Sequence, residues 1–138
     1  MFWRKRGCIK TKPDKPAGVV RAELKNVQFE LVKGELEELL LAQGEAFCVP
    51  ITMQIGPLGE PGADLFDLKV CSPAWLAEEV ARFPVVHGGK HLFMLEFNEQ
   101  AVRTAIEKRL RHAVGRSWSE VAHKIMQWAN WQYEDYPV

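Results

Sequence analysis

The sequence predicts an α+β fold: an antiparallel sheet of about four to five strands with helices packed mainly on one face. Three observations point there. Residues 47–55 and 63–71 alternate apolar with polar at period two on either side of a glycine- and proline-rich connection, the pattern of two half-buried strands in a hairpin. Three later stretches carry apolar residues at helical spacing behind recognisable N-caps. The strand and helix patterns also come in runs, whereas a doubly wound parallel sheet needs strict alternation.

Taken in order, "KTKPDKPAG" (10–18) is rich in lysine and proline and has no apolar periodicity, so residues 1–17 read as a disordered basic leader and residues 18–138 as one domain. "VVRAELKNVQFELV" alternates over Val20, Ala22 and Leu24 and then over Val27, Phe29 and Leu31, a strand whose phase slips once, as at a bulge. "GELEELLLAQG" is a short helix between two glycines, with Leu36, Leu39 and Leu40 on one side. "AFCVPITMQI" puts Phe47, Val49, Ile51, Met53 and Ile55 on one face of a strand. Pro50 has no N–H for a ladder, so that strand is at an edge or bulged there. "ADLFDLKVC" returns antiparallel, with Phe66, Leu68 and Val70 inward.

"SPAWLAEEVARF" begins a helix with Ser72 as N-cap and Pro73 in the first helical position, where its missing N–H costs nothing. "HLFMLEF" (91–97) is apolar on both faces apart from Glu96, which predicts a central strand. Asn98 caps a helix through residues 99–114, with Val102, Ala105, Ile106, Leu110 and Ala113 on its buried stripe and Gly115 as its stop. Ser117 and Glu120 fit a capping box before Trp118, Val121, Ala122, Ile125, Met126 and Ala129, and "WQYEDY" closes as a short strand.

Composition excludes several classes. The chain has 138 residues, 47% apolar and 26% charged, close to the averages for folded soluble domains. No apolar run approaches the roughly 18 residues that span a bilayer, and the basic N-terminus lacks the apolar stretch of a secretion signal, so a cytoplasmic protein is expected. Cys8, Cys48 and Cys71 are odd in number, widely spaced and without a CxxC pairing, which suggests reduced thiols, with Cys48 and Cys71 as small buried hydrophobes. The formal net charge of zero hides an asymmetry: residues 1–25 hold eight basic against two acidic residues, which leaves ten against sixteen in the rest. Such an acidic body suits a basic partner.

The chemical constellations are weaker. "GPLGEPG" runs from strand to strand and carries Glu60 and Asp64, whereas a phosphate loop runs from a strand into a helix N-terminus. A Cys–His hydrolase would have to use Cys71 with His87 or His91, oriented by Asp67, and no spacing singles them out. For a metal, His87 and His91 with Asp64 or Asp67 straddle a Gly-Gly turn, and His112 and His123 stand on different helices, so neither a metal nor a cofactor is expected. Glu78 with Glu79 and Glu37 with Glu38 are helix neighbours that diverge in direction, as on solvated faces. Weak nucleic-acid binding would rest on Trp3 and the six bases of the leader. Trp75 and Trp118 read as core, while Trp128, Trp131, Tyr133 and Tyr136 beside Glu134 and Asp135 read either as a cap on the core or as interface anchors.

"ITMQIGPLGEPGADLFDLKVCSPAWL", then "HLFMLEFN", "SWSEVAHKI" and a terminal "WQYEDY", resembles the Immunity protein 8 family of bacterial polymorphic toxin systems over residues 19–138. The leader departs from the family pattern in length and basicity. The resemblance implies a cytoplasmic, non-catalytic protein that binds and neutralises a cognate toxin domain. In it Gly56, Pro57, Gly59, Phe66, Asp67, Cys71, Pro73 and Trp75 determine the fold, and no contact residue carries over. Charge alone nominates Glu60, Asp64, Glu78, Glu79, Glu134 and Asp135 as toxin-binding and a basic nuclease as the toxin. A hydrolase using Cys71 with His87 or His91 is the alternative.

Overall fold

In a computed structural model that describes residues 18–29 and 35–133, the first alternating stretch forms β1 (Val20–Phe29). Helix α1 (Glu35–Gln43) follows, and Gly44, at φ +61°, turns the chain back with its N–H on the Leu40 carbonyl. Strands β2 (Cys48–Pro57) and β3 (Asp64–Cys71) form the antiparallel hairpin that the two period-two stretches predict. Their inward positions are sealed: Val49, Ile51, Met53, Ile55, Phe66 and Val70 have no exposed surface. The outward positions Pro50, Gln54, Leu65, Asp67 and Lys69 are exposed, so one face of the sheet holds the core and the other meets solvent.

The expected phase slip in β1 is present. Leu24 pairs with Ile55 and Asn26 with Gln54, which leaves Lys25 as the extra residue of a bulge. Pro50 also behaves as its missing N–H demands. The β1–β2 register stops at Phe29↔Ile51, so in the described residues Pro50 sits beyond β1, at a local edge.

Helix α2 (Pro73–Arg82) starts as predicted, with Ser72 accepting the Trp75 N–H, but none of its residues is buried and none joins the core cluster. Strand β4 (His91–Phe93) corrects the expectation of a central strand. It is three residues long, lies at the outer edge of the sheet and runs parallel to β3, which makes the sheet mixed. Beyond β4, Phe97 packs against the core, its ring edge-on to Phe29 at 5.5 Å and to Phe47 at 6.1 Å, while Leu95 is 78% exposed.

Helix α3 (Glu99–Leu110), capped by Asn98, buries Val102, Ile106 and Leu110. It ends earlier than its periodicity suggests. Val114 and Gly115 form β5 (Val114–Gly115), which pairs antiparallel with Val20 and Arg21 at the far edge, and Ala105 is exposed although expected on the buried stripe. Helix α4 (Trp118–Ile125) has the predicted cap, the Ser117 hydroxyl accepting the Glu120 N–H at 3.2 Å, and buries Val121, Ala122 and Ile125. Strand β6 (Asn130–Trp131) is the closing strand, antiparallel to Phe66 and Asp67. The sheet order is β4-β3-β2-β1-β5, with β6 sharing the outer side of β3. The leader, residues 1–17, lies outside the described residues.

Candidate functional site

The nominated acids separate into two places. Glu60 is in the β2–β3 turn, half-buried, and its carbonyl accepts the ammonium of Lys25, the bulge residue. Asp64 opens β3, and its Oδ2 accepts both indole N–H groups beside it, from Trp118 at 2.7 Å and Trp131 at 3.0 Å. This one carboxylate oxygen ties the hairpin to α4 and β6. Glu78 and Glu79 are on α2, past the opposite end of β3. Seven residue steps along β3 at about 3.3 Å each put the two pairs on the order of 20 Å apart. Glu78 is exposed, and Glu79, with 23% of its side chain exposed, lies 3.9 Å from Arg82. Glu134 and Asp135 lie outside the described residues.

The edge formed by α2, β4 and their connections has a different character. Of the nine large apolar side chains left exposed among the described residues, five fall between positions 80 and 95: Val80, Phe83, Val85, Phe93 and Leu95. The His91 ring lies between the rings of Trp75 and Phe93, with centroids 5.6 and 5.8 Å away. The same stretch carries Glu78, Glu79 and Glu96 against Arg82 and Lys90. An edge strand beside exposed aromatic and aliphatic side chains can take a partner through backbone pairing and apolar burial together.

The closing aromatics divide. Trp128 is buried in the core, with the Arg109 guanidinium 5.4 Å from its ring, whereas Trp131 stacks on Phe66 and meets His123 and Tyr133 edge-on. Trp118 is partly buried and held by Asp64. Trp75 is only half-buried and stands outside the core cluster, contrary to the expectation of a core tryptophan. Tyr136 lies outside the described residues.

For the hydrolase alternative, the hydrogen bonds of the named groups run to other partners. Cys71 is fully buried, and its thiol donates to the Cys48 sulfur at 3.2 Å. That bond and burial both push the Cys71 thiol up, away from the nucleophilic form. His91 Nδ1 is 2.9 Å from the Gly89 carbonyl, His87 is exposed in its loop, and Asp67 accepts the Asn130 amide at 3.0 Å. Neither imidazole bonds the Cys71 sulfur. Among the described residues no three histidine, cysteine, aspartate or glutamate side chains gather as a metal site, and no helix is long and apolar enough to cross a membrane.

Cys48 does not fit the expectation of a buried hydrophobe. It is half-exposed, and the bond from Cys71, helped by Lys69 and opposed by burial and Glu79, lowers its thiol from 9.0 to about 7. The signal for this pair lay in the hairpin register: strands that pair Ile55 with Asp64 also pair Cys48 with Cys71.

The family model for Immunity protein 8 matches residues 22–136, nearly all of the described fold. The chain belongs to the Immunity protein 8 family. No curated protein and no solved structure matches it. As a member of this family it is an immunity protein. Within the expected fingerprint, Gly56 has a clear packing role. A Cβ there would lie 2.1 Å from the Gly62 carbonyl oxygen, so only glycine lets the two sides of the turn approach.

Proposed function

We propose that this Immunity protein 8 member binds a cognate toxin domain and neutralises it by occlusion, in the cytoplasm and without a catalytic step. The family match across residues 22–136 carries this reading. The α2–β4 edge supports an apolar contact face. Exposed Phe83, Phe93 and Val80 supply the apolar centre, and Glu78 and Glu79 supply an acidic margin that would steer a basic partner such as a nuclease. Interfaces draw most of their energy from a few aromatic anchors, with rim charges acting more on the rate of encounter.

Co-expression tests the function. Cells producing the toxin domain encoded beside this chain should survive when the chain is present, and the purified pair should form a complex. Failure to bind or rescue against every neighbouring toxin candidate overturns the reading. The contact face has its own test. Glu78→Lys with Glu79→Lys should slow association roughly tenfold and flatten its salt dependence, and Phe83→Ala should speed dissociation by a similar factor. If Glu60→Lys reproduces both effects while the α2 variants leave them unchanged, the face lies at the hairpin turn instead.

A further inference from the structure

Cys48 and Cys71 are partners across the β2–β3 ladder, and the hydrogen bonds around them define the kind of pair they form. The Ser72 N–H donates to the Phe47 carbonyl at 3.0 Å, which makes the next position outward a hydrogen-bonded pair. The Cys71 carbonyl accepts the Met94 N–H on the other side. Cys48 and Cys71 are therefore a non-hydrogen-bonded pair, whose Cα atoms approach to about 4.5 Å, within the spacing a disulfide spans. Their sulfurs are already in contact at 3.2 Å. As cross-strand partners they share the outward face of the sheet, where Cys48 is half-exposed and Cys71 is fully buried. The charged groups that bear on them are Lys69 from β3 and Glu79 from α2.

We propose that Cys48 and Cys71 form a redox modification site that reacts with a small anionic disulfide, Cys48 as the attacking sulfur and Cys71 as the resolving one. This inference is independent of the toxin-binding reading. The Cys48 thiolate attacks one sulfur of the small disulfide, forms a mixed disulfide and expels the first thiolate. The Cys71 thiol then gives its proton to solvent base and attacks the Cys48 sulfur. The Cys48–Cys71 bond forms, the mixed disulfide breaks, and the second small thiolate leaves and takes up a proton. The protein dithiol loses two electrons and two protons, and one small disulfide becomes two small thiols. Lys69, exposed beside the pair, favours both the Cys48 thiolate and an anionic reagent. Capping Cys48 also removes the negative sulfur that holds the Cys71 proton, so the second step is eased by the first.

The test uses the full chain with Cys8→Ser, which removes the third thiol, and oxidised glutathione as probe. Intact mass should fall by two hydrogens, and peptide mapping should find Cys48 joined to Cys71. With Cys71→Ser added, the product should stop at one glutathione on Cys48. With Cys48→Ser, modification of Cys71 should be at least about tenfold slower than that of Cys48. Ring closure from the mixed disulfide should also be roughly tenfold or more faster in the folded chain than in urea, a comparison that needs no cysteine variant to fold. A folded chain that stays reduced, a Cys71 captured as fast as Cys48, or equal closure rates in the folded and unfolded chain would each overturn the proposal.

Discussion

Ser72 is 1% exposed, and all of its hydrogen-bonding capacity is used. Its hydroxyl accepts the N–H groups of Phe47 and Trp75, each at 3.1 Å, and donates to the Glu45 carbonyl. The one side chain thus caps α2 and fastens the loop that leads into β2. Ser72→Ala removes the cap and strands a buried N–H, so it should cost about 2–3 kcal/mol in urea unfolding; a loss below about 0.5 kcal/mol would contradict the role. Asp64 is the second such residue. Asp64→Leu deprives two indoles of their acceptor and should cost about 2 kcal/mol with a change in tryptophan fluorescence, whereas Asp64→Asn, which keeps one carbonyl oxygen, should cost less. The thiol pair predicts a pH dependence. Cys48 has its folded value lowered to about 7, so the folded chain holds fewer protons than the unfolded one between about 7 and 9.0, and stability rises with pH through that window. Cys71 is raised, so above its ordinary value the unfolded chain ionises where the folded chain does not, and stability falls again. Urea midpoints across this range, taken under reducing conditions as the difference from Cys48→Ser with Cys71→Ser, should trace that rise and fall. A flat difference would contradict it.

Among the elements, β2 and β3 could be read from the sequence because each has one sealed and one solvated face, and strict alternation records that directly. The β1 bulge was legible as a phase slip, and the helix starts as caps at Ser72, Asn98 and Ser117. β4 was misread for a physical reason. Apolar residues on both faces mean burial on both faces only in a covered strand, and here Phe93 and Leu95 are exposed at an edge. The end of α3 was hidden as well, since Val114 and Gly115 leave the helix to pair with β1, a partner more than ninety positions away. In the candidate site, the identities of the acids were visible but not their distances apart, nor that two indoles would claim Asp64. The elements also differ in how firmly they are held. α2 buries no residue, so its amides should exchange with solvent faster than those of β2 and β3. Slower exchange in α2 would mean that it is anchored by more than the Ser72 cap. Gly56→Ala should cost the hairpin about 2 kcal/mol or more, because its methyl group would overlap backbone and not a movable side chain.

For the whole molecule, the separation of tasks follows from the sheet having one core face. α1, α3 and α4 supply side chains to that face, which leaves α2 and β4 at the outer edge with apolar residues that the fold does not use. On the proposed reading a toxin domain covers that unused edge, and the sixteen acidic against ten basic residues beyond position 25 suit a basic partner. Titration of the purified chain into the toxin domain encoded beside it, with toxin activity followed alongside binding, tests occlusion itself. Occlusion predicts saturable binding with activity falling in step with occupancy. Absence of binding, or binding that leaves the toxin fully active, would contradict it.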